Sequence, residues 1–249
     1  GNDWIGHLVF SLSFHWWRTV FFLIPAIGVY TVGLGACSLG SSLFSGQGKF
    51  GHWCARTWSW FILATTGVKV NVTGCEQLQK RKTYVFVSNH QSIYDIPIIF
   101  WSIPHQLRII AKASLAKFPV LGWHLRRTGH VLVDRRKPGQ VTFKKISSIL
   151  QEGLSLIVFP EGTRSIDGHL GSFKKAVFVL AIEAGLSIVP VSVSGSHRVM
   201  KPGRLTTCPG VVSLTVHAPV ETSLLTRNDA LDLADRVKRT IASAVYHEM

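Results

Sequence analysis

The chain has 249 residues and a mass of 27.5 kDa, with 27 Lys and Arg against 13 Asp and Glu, a net charge of +14. A field of that sign favours anionic partners, but 47% hydrophobic residues and a mean hydropathy of +0.26 argue against a nucleic-acid binder and towards a membrane surface. Cys37, Cys54, Cys75 and Cys208 are scattered, with no CxxC pair and no His at zinc-ligand spacing, which argues against a disulfide framework or a metal knot and fits a reducing, cytosol-facing environment.

From Thr19 to Phe44 no residue is charged. As a straight helix this run would reach roughly 39 Å, against a hydrocarbon core about 30 Å thick. Pro25, Gly28, Gly33, Gly35 and Gly40 interrupt it, so a clean span and a bent or re-entrant helix in one leaflet are both open. The run is too long for the apolar part of a secretory signal and lacks a convincing basic start, which argues against one. Six of the eight tryptophans, Trp4, Trp16, Trp17, Trp53, Trp58 and Trp60, flank it, as suits a membrane interface. Residues 50–66 read as a second, shorter helix in that interface. The expected division is therefore a membrane-associated two-helix segment over 1–66 and an α/β domain over 67–249.

Beyond Val68 the texture changes to short β-rich runs alternating with helical ones. Strands are predicted at 68–72, 83–88, 107–111, 130–134, 154–159, 186–194 and 211–217, and helices at 95–103, 114–126, 140–152, 172–185 and 227–247. This alternation predicts a layered α/β domain with a mainly parallel or mixed sheet flanked by helices, its site at the strand ends. Pro190, inside an apolar strand, marks an edge or a bulge.

Two polar turns follow apolar strands. In "SNHQSIYD" (88–95) a strand-to-helix turn can bring the Asp95 carboxylate back to His90, fixing the imidazole tautomer and leaving the other ring nitrogen as a general base. The same spacing also fits Asp95 as a helix cap beside a polar loop histidine. In "FPEGTRS" (159–165) backbone N–H groups around Gly162, the Thr163 hydroxyl and the Arg164 guanidinium suit an anion such as phosphate. Glu161 is placed to hold Arg164 or a backbone donor; a structural turn closed by Glu161 and Arg164 is the plainer alternative. Lys112 follows the strand at 107–111, within reach of the same phosphate, and Asp134 and Arg135 stand at another strand end.

In order along the chain, "NHQSIYD", "GHVLVDR", "FPEGTR" and "IVPVSVSG" resemble the four signature blocks of the glycerolipid acyltransferases, most closely the branch acting on 1-acyl-sn-glycerol 3-phosphate. The resemblance covers about residues 68 to 220. It implies acyl transfer from a thioester, acyl-CoA or acyl-carrier protein, to the sn-2 hydroxyl of lysophosphatidate, giving phosphatidate without metal or organic cofactor. His90 then matches the base and Asp95 its orienting carboxylate. Arg164 and Lys112 match positions that hold the acceptor phosphate, Glu161, Gly162 and Thr163 the rest of that turn, and Arg135 a basic position of the second block. "FKKAVF" (173–178) departs from the family in having Ala176 where glycine is usual, which predicts a narrowed helix approach. The implied setting is a phospholipid membrane with the catalytic domain facing the cytosol. Rival readings are a related acyltransferase acting on glycerol 3-phosphate or another lysophospholipid, and a non-catalytic basic membrane-binding module.

Overall fold

A computed structural model describes residues 14–41, 48–117, 121–133, 140–165 and 168–245. Phe14–Arg18 (α1), a π-helical turn over Thr19–Leu23 and Ile24–Ser41 (α2) join into one helix, Phe14–Ser41, of 28 residues. Among the described residues it is the one helix long and apolar enough to cross a membrane. The helix runs on through its glycines: Gly28, Gly33 and Gly40 sit in open space along it. The irregularity falls instead just before Pro25, where the Ile24 N–H reaches back to the Thr19 carbonyl, and this widened turn makes room for the pyrrolidine ring.

Lys49–Thr66 (α3) runs antiparallel to α2. Trp58 Nε1 donates to Thr31 Oγ1 at 2.9 Å, the Tyr30 and Thr65 hydroxyls lie 3.1 Å apart, and Tyr30 stacks on Phe61. Helix α3 ends at Gly67, whose left-handed backbone directs its N–H at the Leu63 and Ala64 carbonyls. Phe21, Phe22, Val29, Val32, Trp53 and Trp60 face outwards from this hairpin.

Seven strands follow: β1 (Val68–Thr73), β2 (Val85–Ser88), β3 (Leu107–Lys112), β4 (Val131–Val133), β5 (Ser155–Val158), β6 (Ile188–Ser194) and β7 (Gly210–Val216). They form one sheet in the order β1-β7-β6-β2-β5-β3-β4, parallel throughout except where β6 meets β7. The remaining helices are α4 (Asp95–Ser102), α5 (Leu121–Arg127), α6 (Gln140–Gln151), α7 (Ala176–Glu183), the single turn α8 (Ser196–Val199) and α9 (Ala230–Ala242). Each predicted strand is present. The helix predicted over 114–126 is instead a 3₁₀ turn at Ala113–Lys117 and α5. Helix α7 starts late because the Lys174 N–H is engaged by the Pro160 carbonyl at 3.1 Å. Ala176 is the exposed first residue of α7, so it narrows no helix approach.

Alternation along β2 divides the core. Phe86 packs with Ile98, Ile99, Val191 and Val193 under α3 and α4, while Val85 and Val87 pack with Ile149, Phe178, Ala181 and Val237 under α6, α7 and α9. With helices on both faces, the crossovers leave the carboxyl ends of β2 and β5 side by side, the position where open α/β sheets hold their sites.

Pro190 lies in a central strand, not at an edge, because β6 is flanked by β2 and β7. The bulge reading holds. The β6/β7 register passes from Val191↔Val216 to Ile188↔Val220, one extra residue on the β7 side, and proline removes a donor just where that ladder is interrupted.

Ser192 on β6 donates to the Ile241 carbonyl of α9 at 2.8 Å and lies 2.8 Å from His217 Nε2, which ties α9 to the sheet. Burial lowers the His217 pKa below the ordinary 6.5, so the unfolded chain takes up a proton there more readily than the folded one. Stability from neutral His217 is complete above about pH 6.5 and is lost as pH falls below it. Thermal unfolding followed from neutral into mildly acidic pH is expected to show this decline, and His217→Gln, which keeps a donor for Ser192, to flatten it. An unchanged slope would assign the decline to other groups.

Candidate active site

The turn after β2 is held from both sides by hydrogen bonds. Asn89 continues the strand with its side chain: Nδ2 donates to the Val193 carbonyl and Oδ1 accepts the Val193 N–H, both at 2.8 Å. The amide thus imitates one more residue of β-ladder against β6 and starts the turn at a fixed place. Ser92 Oγ donates to the Met200 carbonyl at 2.8 Å, which pins the far side of the turn to the segment after α8.

Asp95, the first residue of α4, is completely buried. Its Oδ2 accepts the Gln91 N–H at 2.7 Å and the Ser92 N–H at 2.9 Å, and lies 2.8 Å from His90 Nδ1. Of the two alternatives left open by the sequence, the pairing with the imidazole is the one observed: Asp95 is the first residue of α4, its side chain caps no helix N–H, and its backbone donors lie in the turn before the helix. With Nδ1 facing a carboxylate, the hydrogen-bond network assigns the proton to Nδ1 and leaves Nε2 as the acceptor. The His90 side chain keeps 11% exposure against none for Asp95, so the unoccupied edge of the ring is the edge that meets an incoming molecule.

The turn after β5 wraps around the same histidine. Phe159 stacks on the imidazole with centroids 4.1 Å apart and planes 21° apart. Glu161 Oε1 accepts the His90 N–H at 2.9 Å, and the Ser165 N–H donates to the His90 carbonyl at 2.8 Å. Glu161 Oε2 accepts the Gly171 N–H at 2.8 Å, and Gln91 Nε2 donates to the Gly168 carbonyl at 2.8 Å. Glu161 is thus committed to backbone donors, as one of its two predicted parts required, and both of its oxygens bridge backbone.

Gly162 has φ 77° and its N–H donates to the Phe159 carbonyl at 3.0 Å. Its amide closes the turn, and its lack of a side chain is what leaves space: a Cβ there would sit 2.9 Å from Lys174 Nζ. Thr163 and Arg164 are exposed beside it, and Arg164 has no ion-pair partner among the described residues. Lys112 ends β3; continuing the register Ile109↔Ile157 places it level with Pro160. Arg135, like Asp134, lies outside the described residues. The structure adds Lys174 to the predicted cations. It stood within "FKKAVF", but only the fold of the turn after β5 brings it over Gly162. The arrangement offers a fixed imidazole with one bare nitrogen, next to a strand-end turn flanked by exposed cations.

The chain belongs to the acyltransferase family, whose model matches residues 69–194. It is 36% identical over 179 residues to a chloroplastic 1-acyl-sn-glycerol-3-phosphate acyltransferase of Arabidopsis thaliana, covering 70% of this chain and 50% of that protein. It is 32% identical over 199 residues to a Saccharomyces cerevisiae protein of the same name, covering 78% and 65%. The chain spans about half the length of the first of these curated relatives. The crystal structure of the 1-acyl-sn-glycerophosphate acyltransferase PlsC from Thermotoga maritima has the same fold, with a TM-score of 0.76 at 28% identity over 92% of this chain and 97% of that one. The resemblance read from the four blocks and the layered α/β fold are both borne out.

Asn89→Ala removes both bonds to Val193 and leaves a buried N–H and C=O without partners. It is expected to destabilise the chain by about 2–4 kcal/mol in a urea or thermal melt. A loss below about 1 kcal/mol would show that the turn does not depend on this mimicry.

Proposed function

We propose that the chain acylates the sn-2 hydroxyl of lysophosphatidate from an acyl thioester, of CoA or of acyl-carrier protein, to give phosphatidate. The observation that carries this reading is the His90–Asp95 pair, held by the same turn that presents Arg164. His90 Nε2 takes the hydroxyl proton as that oxygen attacks the thioester carbonyl, and Asp95 faces the imidazolium that forms. The C–S bond then breaks, and the imidazolium returns its proton to the leaving sulfur. The balance closes within the chain and its two substrates, without a metal or organic cofactor and without a covalent acyl-enzyme.

Arg164 and Thr163 hold the acceptor phosphate in this scheme, aided by Lys174, by Lys112 from the end of β3 and by Arg135. Glu161 positions rather than binds: it keeps the His90 backbone against the clamp turn. Support for the acceptor comes from the names of the relatives and from a cation set suited to a phosphomonoester.

We place the α2–α3 hairpin in one leaflet, with the catalytic domain on the cytosolic side where the thioester is supplied. Helix α3 packs on α4 and α2 on α5, so the hairpin returns along the domain, and its outward residues Phe21, Phe22, Val29, Val32, Trp53 and Trp60 are what lipid can cover. A one-chain lipid can then reach His90 without leaving the membrane.

In an assay of thiol release from either donor, His90→Ala is expected to lower kcat by about a thousandfold while lysophosphatidate still binds. Arg164→Ala is expected to raise KM for lysophosphatidate by roughly tenfold to a hundredfold, as loss of a charged hydrogen bond predicts, with a smaller change in kcat. Substantial turnover by His90→Ala would remove the base, and an unchanged KM would remove Arg164 from the clamp.

A further inference from the structure

The edge of the sheet opposite His90 carries a second basic site. At the amino ends of β3 and β5, a cleft of about 600 Å³ is lined by Lys49, Lys80, Arg81, Lys82, His105 and Glu152, among others. Glu152 is its single acidic side chain. Lys82 is paired with Glu221 at 2.7 Å, whereas Lys49, Lys80 and Arg81 make no ion pair among the described residues. Three cations therefore converge on a concave surface with little to balance them.

One further observation points to a missing anion. Arg108, 2% exposed, donates to the Leu107 carbonyl at 3.0 Å while its Nε is unpartnered. A Cβ on Gly48 would sit 2.7 Å from Arg108 Nη2, so this buried guanidinium lies directly beneath the start of α3 and Lys49. Burial lowers the Arg108 pKa only to about 10, which leaves it charged at neutral pH. A buried cation with so few bonds is costly unless anions compensate it, and the Glu152 carboxylate of the cleft does so only in part, since burial still outweighs it.

The start of α3 also says which anion. Lys49 is followed by Phe50 and Trp53, 44% and 56% exposed, on a helix of the apolar hairpin. An apolar surface bordered by unpaired Lys and Arg is suited to a lipid whose headgroup is negative. We propose that this cleft binds the phosphate of an anionic phospholipid of the surrounding leaflet, at a site separate from the acceptor clamp, with the lipid chains against Phe50 and Trp53. Only the choice of a lipid over a soluble anion rests on the membrane placement given above.

The test uses the full chain in a neutral detergent and follows its thermal unfolding against increasing short-chain phosphatidylglycerol, with short-chain phosphatidylcholine and inorganic phosphate as separate titrations. Saturable stabilisation by phosphatidylglycerol is expected, with neither control matching it. The triple variant Lys49→Gln, Lys80→Gln, Arg81→Gln is expected to weaken it about a hundredfold, since each basic residue contributes roughly a factor of five. These side chains are exposed, and acyl transfer in zwitterionic micelles should be unchanged in the variant, which also shows that it is folded. Arg164→Ala should retain the stabilisation. Equal stabilisation by inorganic phosphate would overturn the lipid assignment, and stabilisation that survives the triple variant, or vanishes in Arg164→Ala, would overturn the separate site. Failure of acyl transfer in the unmodified chain would contradict the proposed reaction and leave this result standing.

Discussion

One carboxylate oxygen, Oδ2 of Asp95, collects the Gln91 N–H, the Ser92 N–H and the His90 ring at 2.7, 2.9 and 2.8 Å in a fully buried position. A buried carboxylate stripped of such partners is strongly destabilising, so the turn cannot open around it without breaking all three. That constraint fixes where α4 begins, since Asp95 is its first residue, and fixes which ring nitrogen faces out. The strand ladder supplies the other fixed point through Asn89 and Val193. Between them the histidine has no freedom to turn its bare nitrogen away.

The second turn makes this arrangement useful. Glu161, Ser165 and Phe159 grip the His90 backbone and ring, so the cations that follow Glu161 are carried at a set distance from the base. Parallel pairing of β2 with β5 is the cause: it lays two carboxyl ends side by side that are 71 residues apart in the chain. Positioning of this kind, rather than any strongly reactive group, is what the fold contributes to a transfer in which the acceptor is itself the nucleophile.

Much of this was legible in the chain. The strands announced themselves as short β-branched runs, and the five-residue step from His90 to Asp95 allowed their pairing, although the same spacing fitted a helix cap and only the second polar turn at a neighbouring strand end tipped the reading. What could not be read was anything set by distant backbone. That Glu161 holds a backbone donor was one of two readings, but that the donors are the amides of His90 and Gly171 leaves no mark in sequence. Gly162 looked like an anion cradle, but its amide is used by Phe159 and its contribution is the space beneath Lys174. Pro190 suggested an edge because proline cannot sit in an unbroken central ladder; the one-residue bulge opposite it is a property of the β6/β7 register. The same limit hid the basic cleft, whose lysines come from the start of α3 and from the loop before β2.

¹⁵N NMR of the His90 ring nitrogens in the lipid-free, detergent-solubilised chain, compared with Asp95→Asn, reads the tautomer itself. A proton on Nδ1 with Nε2 bare is expected, and loss of that fixed tautomer in the variant. A proton resident on Nε2 of the unmodified chain, or a tautomer indifferent to Asp95→Asn, would contradict this assignment.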